Sequence, residues 1–125
     1  YEEALEIFKR DAASGDLDAT NFVGIHYYLG LGVKRDFAAA REWFETAALA
    51  QNNAAQRNLG VMYLRGYGVK KDHSLAYGWL HRAHRGGNVN AERYMGFVGT
   101  LISPNESITA RKRIAARINA DHRSK

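Results

Sequence analysis

Ala19-Thr-Asn-Phe-Val-Gly24, followed by Tyr27, Gly30-Leu-Gly32-Val33, Asp36, Ala40, Trp43 and Ala47, decides the fold, because it occurs twice. The chain repeats it 36 residues later as Ala55-Gln-Arg-Asn-Leu-Gly60 with Tyr63, Gly66-Tyr-Gly68-Val69, Asp72, Ala76, Trp79 and Ala83. A third start, Ala91-Glu-Arg-Tyr-Met-Gly96, follows after a further 36 residues. Twelve of the 36 positions are identical between residues 19–54 and 55–90. A fixed period of this length marks a repeat architecture, in which each unit buries its apolar face only by stacking on its neighbours.

Each unit reads as two helices. The first runs over roughly 18–29, where Ala19, Val23 and Tyr27 fall four apart on one face. Gly24 sits beside that face and lets another helix approach, at a propensity cost of about 1 kcal/mol. Gly30 ends the helix in a left-handed residue, Gly32 permits a second tight turn, and Val33 is free to enter the core. Asp36 caps a second helix carrying Ala40, Trp43, Phe44 and Ala47 at helical spacing. Asn52, or Gly86-Gly87 in the next unit, ends it.

The fold expected is therefore all-α: a right-handed α-solenoid of antiparallel helix hairpins with period 36. Ala4, Ile7, Phe8 and Ala12 stand 36 residues before Ala40, Trp43, Phe44 and Ala48, so residues 1–18 match a second helix alone. Units 19–54 and 55–90 follow. Residues 91–125 form a divergent capping repeat, in which Ile102-Ser-Pro104 replaces the glycine turn and a basic helix of about 106–120 replaces the one bearing tryptophan. Because the chain starts halfway through a repeat, the sequence predicts further repeats before Tyr1. It also predicts an incompletely covered N-terminal edge at Leu5, Ile7 and Phe8, open to pairing with a second copy.

Composition narrows the function. The 125 residues are 46% hydrophobic and 25% charged, ordinary for a folded domain. No apolar run reaches the ~20 residues that span a bilayer. The absence of cysteine excludes disulfides and thiolate metal sites and leaves the redox compartment open. The net charge of +5 lies in residues 107–125, where Arg111, Lys112, Arg113, Arg117, Arg123 and Lys125 face one acid, Asp121. The preceding residues balance to zero.

The pattern A-x4-G-x2-Y-x2-G-x-G-V-x2-D-x3-A-x2-W-x3-A at period 36 resembles the Sel-1-like repeat family, a relative of the tetratricopeptide repeats with a longer loop between its helices. The resemblance is close over residues 1–101 and loose over 102–125; His84 stands where the previous unit has Ala48. It implies a non-catalytic scaffold or adaptor for protein partners, often bacterial. The structural signature it assigns is Gly24, Tyr27, Gly30, Gly32, Asp36, Trp43, Gly60, Tyr63, Gly66, Gly68, Asp72, Trp79 and Gly96. By analogy with tetratricopeptide repeats it places the partner-binding residues on the first helices, facing the concave side: Asn21, Ile25, Tyr28, Arg57, Leu64, Arg65, Arg93 and Phe97. Arg57 and Arg93 then grip carboxylates of an extended partner, and the apolar residues anchor it. In the bland alternative the arginines pair with Glu92 or Asp18 on adjacent turns.

Other chemistries have weaker claims. His81 and His84 share a helix face, with His73 nearby in sequence, but a third ligand and its supporting shell are not evident, so no metal and no cofactor are assigned. Glu2/Glu6 and Glu42/Glu45 read as solvated helix faces. No catalytic motif is present, so the chain is not read as an enzyme. Gly30-Leu-Gly32 and Gly66-Tyr-Gly68 follow helices rather than strands, so they turn the chain and do not cradle phosphate. The basic C-terminal helix supplies the alternative function, docking on nucleic acid or an acidic membrane surface. Ile108, Ile114 and Ile118 give that helix an apolar side that favours capping.

Overall fold

The computed structural model describes residues 1–123; Ser124 and Lys125, including one charge of the basic tail, lie outside the described residues. Regular structure among the described residues is helical throughout: α1 (Glu2–Ala13), α2 (Leu17–Leu29), α3 (Phe37–Leu49), α4 (Asn53–Arg65), α5 (His73–Arg85), α6 (Val89–Gly99) and α7 (Pro104–Arg123). Consecutive helices from α1 to α6 pack in order, so the chain is a solenoid in which α2 with α3, and α4 with α5, form complete hairpins.

Local chemistry sets each boundary. Asp36 and Asp72 cap α3 and α5 by accepting the amides of Ala39 and Leu75 at 3.0 Å each. The same device starts α2, α4 and α6, where Asp16, Asn52 and Asn88 accept from Ala19, Ala55 and Ala91. Asn52, which the sequence marks as the end of one helix, is the cap of the next, and the period-36 trio Asp16, Asn52, Asn88 is its signal. Gly30 and Gly66 end α2 and α4 at φ 70° and 72°. Gly32 and Gly68 repeat the left-handed geometry at 69° and 71°. A Cβ on Gly68 would lie 2.7 Å from the Phe37 carbonyl carbon, and one on Gly32 2.6 Å from the Glu2 amide nitrogen. Each loop thus rests on the start of the preceding repeat's second helix, and only glycine satisfies both the torsion and the space.

Within each hairpin the repeat glycine sets the helix separation. A Cβ on Gly24 would lie 2.5 Å from Phe44, and one on Gly60 2.8 Å from Leu80. The core follows those contacts, with Ala40, Phe44, Ala47, Ala55, Leu59, Met62 and Trp79 buried. Trp79 is fully buried whereas Trp43 is half-buried. The two therefore do not share one environment, as their common register suggested. Tyr27 and Tyr63 are half-buried against this core. Across repeats, the side chain of Asn58 donates to Asn21 at 2.9 Å, and Asn52 donates to Asp18 at 2.8 Å.

The third unit departs from the pattern. α7 packs on α5, touches α3, and does not close on α6 as α3 closes on α2. Two replacements account for this. The segment after α6 lacks the Gly-x-Gly pair, and its cap residue Thr100 is right-handed at φ −79°, so the chain is not turned back onto α6. Gly78 on α5 stands where α3 has Glu42, and a Cβ there would lie 2.6 Å from Ile114 and 2.9 Å from the Ala110 carbonyl oxygen. α7 fills that space. Ser103 and Glu106 start it with a reciprocal capping box, each accepting the other's amide at 3.1 and 3.0 Å. Ala110, Ile114 and Ile118 are its buried side; Ile108, expected there, is 45% exposed. Arg117 pairs with Glu45, which also binds Arg41 at 2.9 Å, and its guanidinium lies 5.8 Å from the Trp79 ring.

Gly96 is the corresponding correction to the structural signature. It is exposed, and a Cβ there meets nothing within 4 Å, because no second helix covers it. At the other end Leu5 is buried and Phe8 packs on Phe22 and His26, with centroids 5.0 and 5.5 Å apart, so of the three edge residues only Ile7 remains exposed.

Gly60→Ala and Gly96→Ala separate the two kinds of glycine. The first is expected to cost about 1–3 kcal/mol by overpacking, and the second to gain about 0.5–1 kcal/mol from helix propensity. Urea unfolding of both variants checks this; a shift of equal sign and size in both would contradict the close approach at Gly60. Gly78→Glu, which restores the residue of the preceding unit, is expected to lift α7 off α5. Trp79 loses its cover, so its fluorescence should move to the red as the melting temperature falls. An unchanged spectrum would place α7 elsewhere.

Candidate functional site

On the face built from α2, α4 and α6, two adjoining depressions share Arg65 and Tyr94. The smaller, about 270 Å³, is bordered by Ile25, Tyr28, Arg57 and Val61. The larger, about 700 Å³, is bordered by Leu64, Lys71, Arg93 and Phe97. Together they make one trough running along the repeat axis. Seven of the eight residues expected on the concave side line it: Ile25, Tyr28, Arg57, Leu64, Arg65, Arg93 and Phe97.

Asn21 does not. It is buried, and its side-chain oxygen accepts from Asn58. Its register matches Arg57 one repeat on, but the two side chains differ in length. Asn21 stays between the helices, whereas Arg57 reaches past Asn58 and donates to its oxygen at 3.1 Å. A chain of amides thus leads from Arg57 to Asn21, which fixes the direction of the guanidinium. Its Nε is buried with no hydrogen-bond partner among the described residues. Sequence reasoning had no signal for this ladder, because Asn58 replaces Phe22 of the preceding unit.

The trough is aromatic at one wall. Tyr28 packs on Phe37 at 5.2 Å and on Tyr67 at 6.2 Å, Phe37 stacks on Tyr67 at 4.9 Å, and Arg35 caps Phe37 at 4.9 Å. In the sequence Tyr67 is only the middle of a glycine turn. Its place follows from Gly68, whose loop is pressed against Phe37. Phe97 is 57% exposed and Leu101 44%, so the far end of the trough offers bare apolar surface.

Arg57, Arg65 and Arg93 pair with no carboxylate among the described residues. The expected alternative partner Asp18 is bonded to Asn52, and Glu92 makes no such pair. The trough is therefore a line of cations interleaved with apolar side chains. No group of three or more His, Asp or Glu residues able to hold a metal ion occurs among the described residues. His26, buried in the last turn of α2, donates from Nδ1 to the Phe22 carbonyl at 2.8 Å. No helix among the described residues is long and apolar enough to cross a membrane.

The Sel1 repeat model matches residues 17–52 and 53–88. No curated protein matches the chain in sequence. Two solved bacterial structures are similar to it. One is c5321, a protective antigen of uropathogenic Escherichia coli displaying an SLR fold, with 28% identity and a TM-score of 0.87 over 94% of this chain and 26% of that one. The other is a Sel1 repeat protein from Oxalobacter formigenes, with 31% identity and a TM-score of 0.74 over 93% of this chain and 50% of that one. The chain thus spans about a quarter of the first and half of the second. Sel1 repeat proteins are in general non-catalytic scaffolds for protein interaction. With two consecutive units matched over more than half its length, the chain belongs to the Sel1 repeat family.

Proposed function

We propose that this chain is a protein-interaction module without catalytic function, and that it holds a partner segment carrying carboxylates and apolar side chains in the trough along α2, α4 and α6. The observation that carries this reading is the set of three arginines, Arg57, Arg65 and Arg93, unpaired with any carboxylate among the described residues and set among Ile25, Tyr28, Leu64 and Phe97. A guanidinium fork matches a carboxylate bidentately, and its planar form loses little freedom on binding. The exposed apolar residues supply the desolvated contacts that dominate binding energy. The face also varies where the core repeats, with Ile25, Val61 and Phe97 at one register and Tyr28 and Leu64 at another. That is the pattern of a surface freed from packing constraint.

Selection of linear peptides from a random displayed library is the direct test. Peptides enriched in Asp or Glu together with Leu or Phe are expected, and enrichment of basic peptides would refute the reading. Arg65→Glu with Arg93→Glu should weaken a selected peptide by about tenfold or more, each lost charge-assisted bond counting for ~1.5–3 kcal/mol. Both positions are exposed, so helical circular dichroism should stay at the parental level. Undiminished affinity in the folded double variant would move the site off this face.

A further inference from the structure

We propose that the crevice between α5 and α7, which shares no lining residue with the trough, is a binding site for a phosphate group, gripped by Arg85 of α5 and by Arg111 and Lys112 of α7. The crevice has a volume of about 160 Å³, and His81 and Arg82 complete its polar wall. No acidic residue lines it. Arg82 donates to the Gln51 side chain at 3.2 Å, while Arg85, Arg111 and Lys112 pair with no carboxylate among the described residues.

The cations have no structural explanation as a set. Arg82, His84 and Arg85 lie in the last turn of α5, where the helix dipole favours positive charge. Arg111 and Lys112 lie inside α7, far from its C-terminus. They face the α5 cations because Ile114 and Ala110 seat α7 on Gly78. Like charges held together by apolar packing repel, and a departure from favourable local electrostatics marks a functional place. The same crowding acts on His81. Burial first, then Arg111, Arg85, His84 and Arg82, hold its imidazole below the ordinary histidine value. Its stacked neighbour Tyr77, 6.1 Å away, adds a ring and no charge. An anion in the crevice reverses that effect, so binding and protonation of His81 reinforce one another.

The chemistry favours phosphate over a carboxylate. A phosphate monoester carries about −1.5 to −2 charges and three acceptor oxygens, enough for two guanidinium groups and an ammonium, whereas one carboxylate satisfies one fork. No Phe, Tyr or Trp lines the crevice, and its one ring, His81, is already stacked on Tyr77, so a single phosphate or diphosphate fits the space of about 160 Å³ better than a nucleic-acid strand. A soluble phosphate compound and a lipid headgroup share this chemistry.

Inorganic pyrophosphate titrated into the isotope-labelled chain, followed by NMR, is the test. Saturable shifts along the end of α5 and the middle of α7 are expected, with a rise in the His81 pKa. Arg111→Gln with Lys112→Gln, both exposed positions, should weaken binding by about tenfold or more, while Arg65→Glu in the trough should leave it unchanged. Absence of saturable shifts at low salt, or equal affinity in the double variant, would overturn the site. Phosphatidylcholine vesicles with and without phosphatidic acid distinguish the sources. Binding that needs the acidic lipid, needs Arg111 and Lys112, and is displaced by pyrophosphate assigns the headgroup. Pyrophosphate binding without vesicle binding assigns a soluble phosphate. Vesicle binding that pyrophosphate cannot displace would reduce the crevice to general charge attraction and refute it.

Discussion

The structure depends on two missing methyl groups. At Gly24 and Gly60 the second helix of each hairpin comes so close that Phe44 and Leu80 occupy the space of a Cβ. That contact fixes the helix separation, which in turn lets Ala40, Ala47, Ala55 and Ala76 close the core with small side chains. The paired glycines of the following loop deliver the second helix to that position, using left-handed torsions that other residues adopt only at a cost. Period, hairpin and stack are consequences of one close approach made twice.

The third unit shows what happens when half of that arrangement is kept. Gly96 retains the permissive residue, but the loop that should bring a helix to it has become Ile102-Ser-Pro104. α7 therefore takes the nearest apolar seat available, the Gly78 gap on α5. A glycine in a repeat is only permission for contact; whether contact forms depends on where the next loop sends the chain. Most of the fold was legible because its signals are local and periodic: the caps Asp36 and Asp72, the glycine turns, the alanine and tryptophan registers. The seat of α7 was not, because it depends on Gly78, a single non-repeating residue whose partner lies 36 positions away at Ile114.

The trough was legible to a similar degree. Seven of the eight expected lining residues border it, since helix register alone places them on one face. Asn21 failed because register fixes direction and not reach: its short amide is absorbed between helices by Asn58, while Arg57 at the same register extends beyond. Tyr67 was missed for the opposite reason. It sits in a loop, and its stacking on Phe37 arises only when one repeat's loop docks on the previous repeat's helix.

These features divide the surface into two basic regions of different origin. Along the trough, α4 presents Arg57 and Arg65 and α6 presents Arg93, so the cations are spaced and interleaved with apolar groups. Between α5 and α7 the cations are crowded, because a helix that left the repeat pattern has folded onto the end of another that was already basic. Spaced cations suit an extended ligand contacted at several points, whereas crowded cations suit one compact, multiply charged group. The second region exists only because α7 does not complete the third hairpin. The same departure that leaves Gly96 bare also brings Arg111 and Lys112 to Arg85, so the third unit gives up a closed hairpin and gains a site that neither regular repeat in the chain contains.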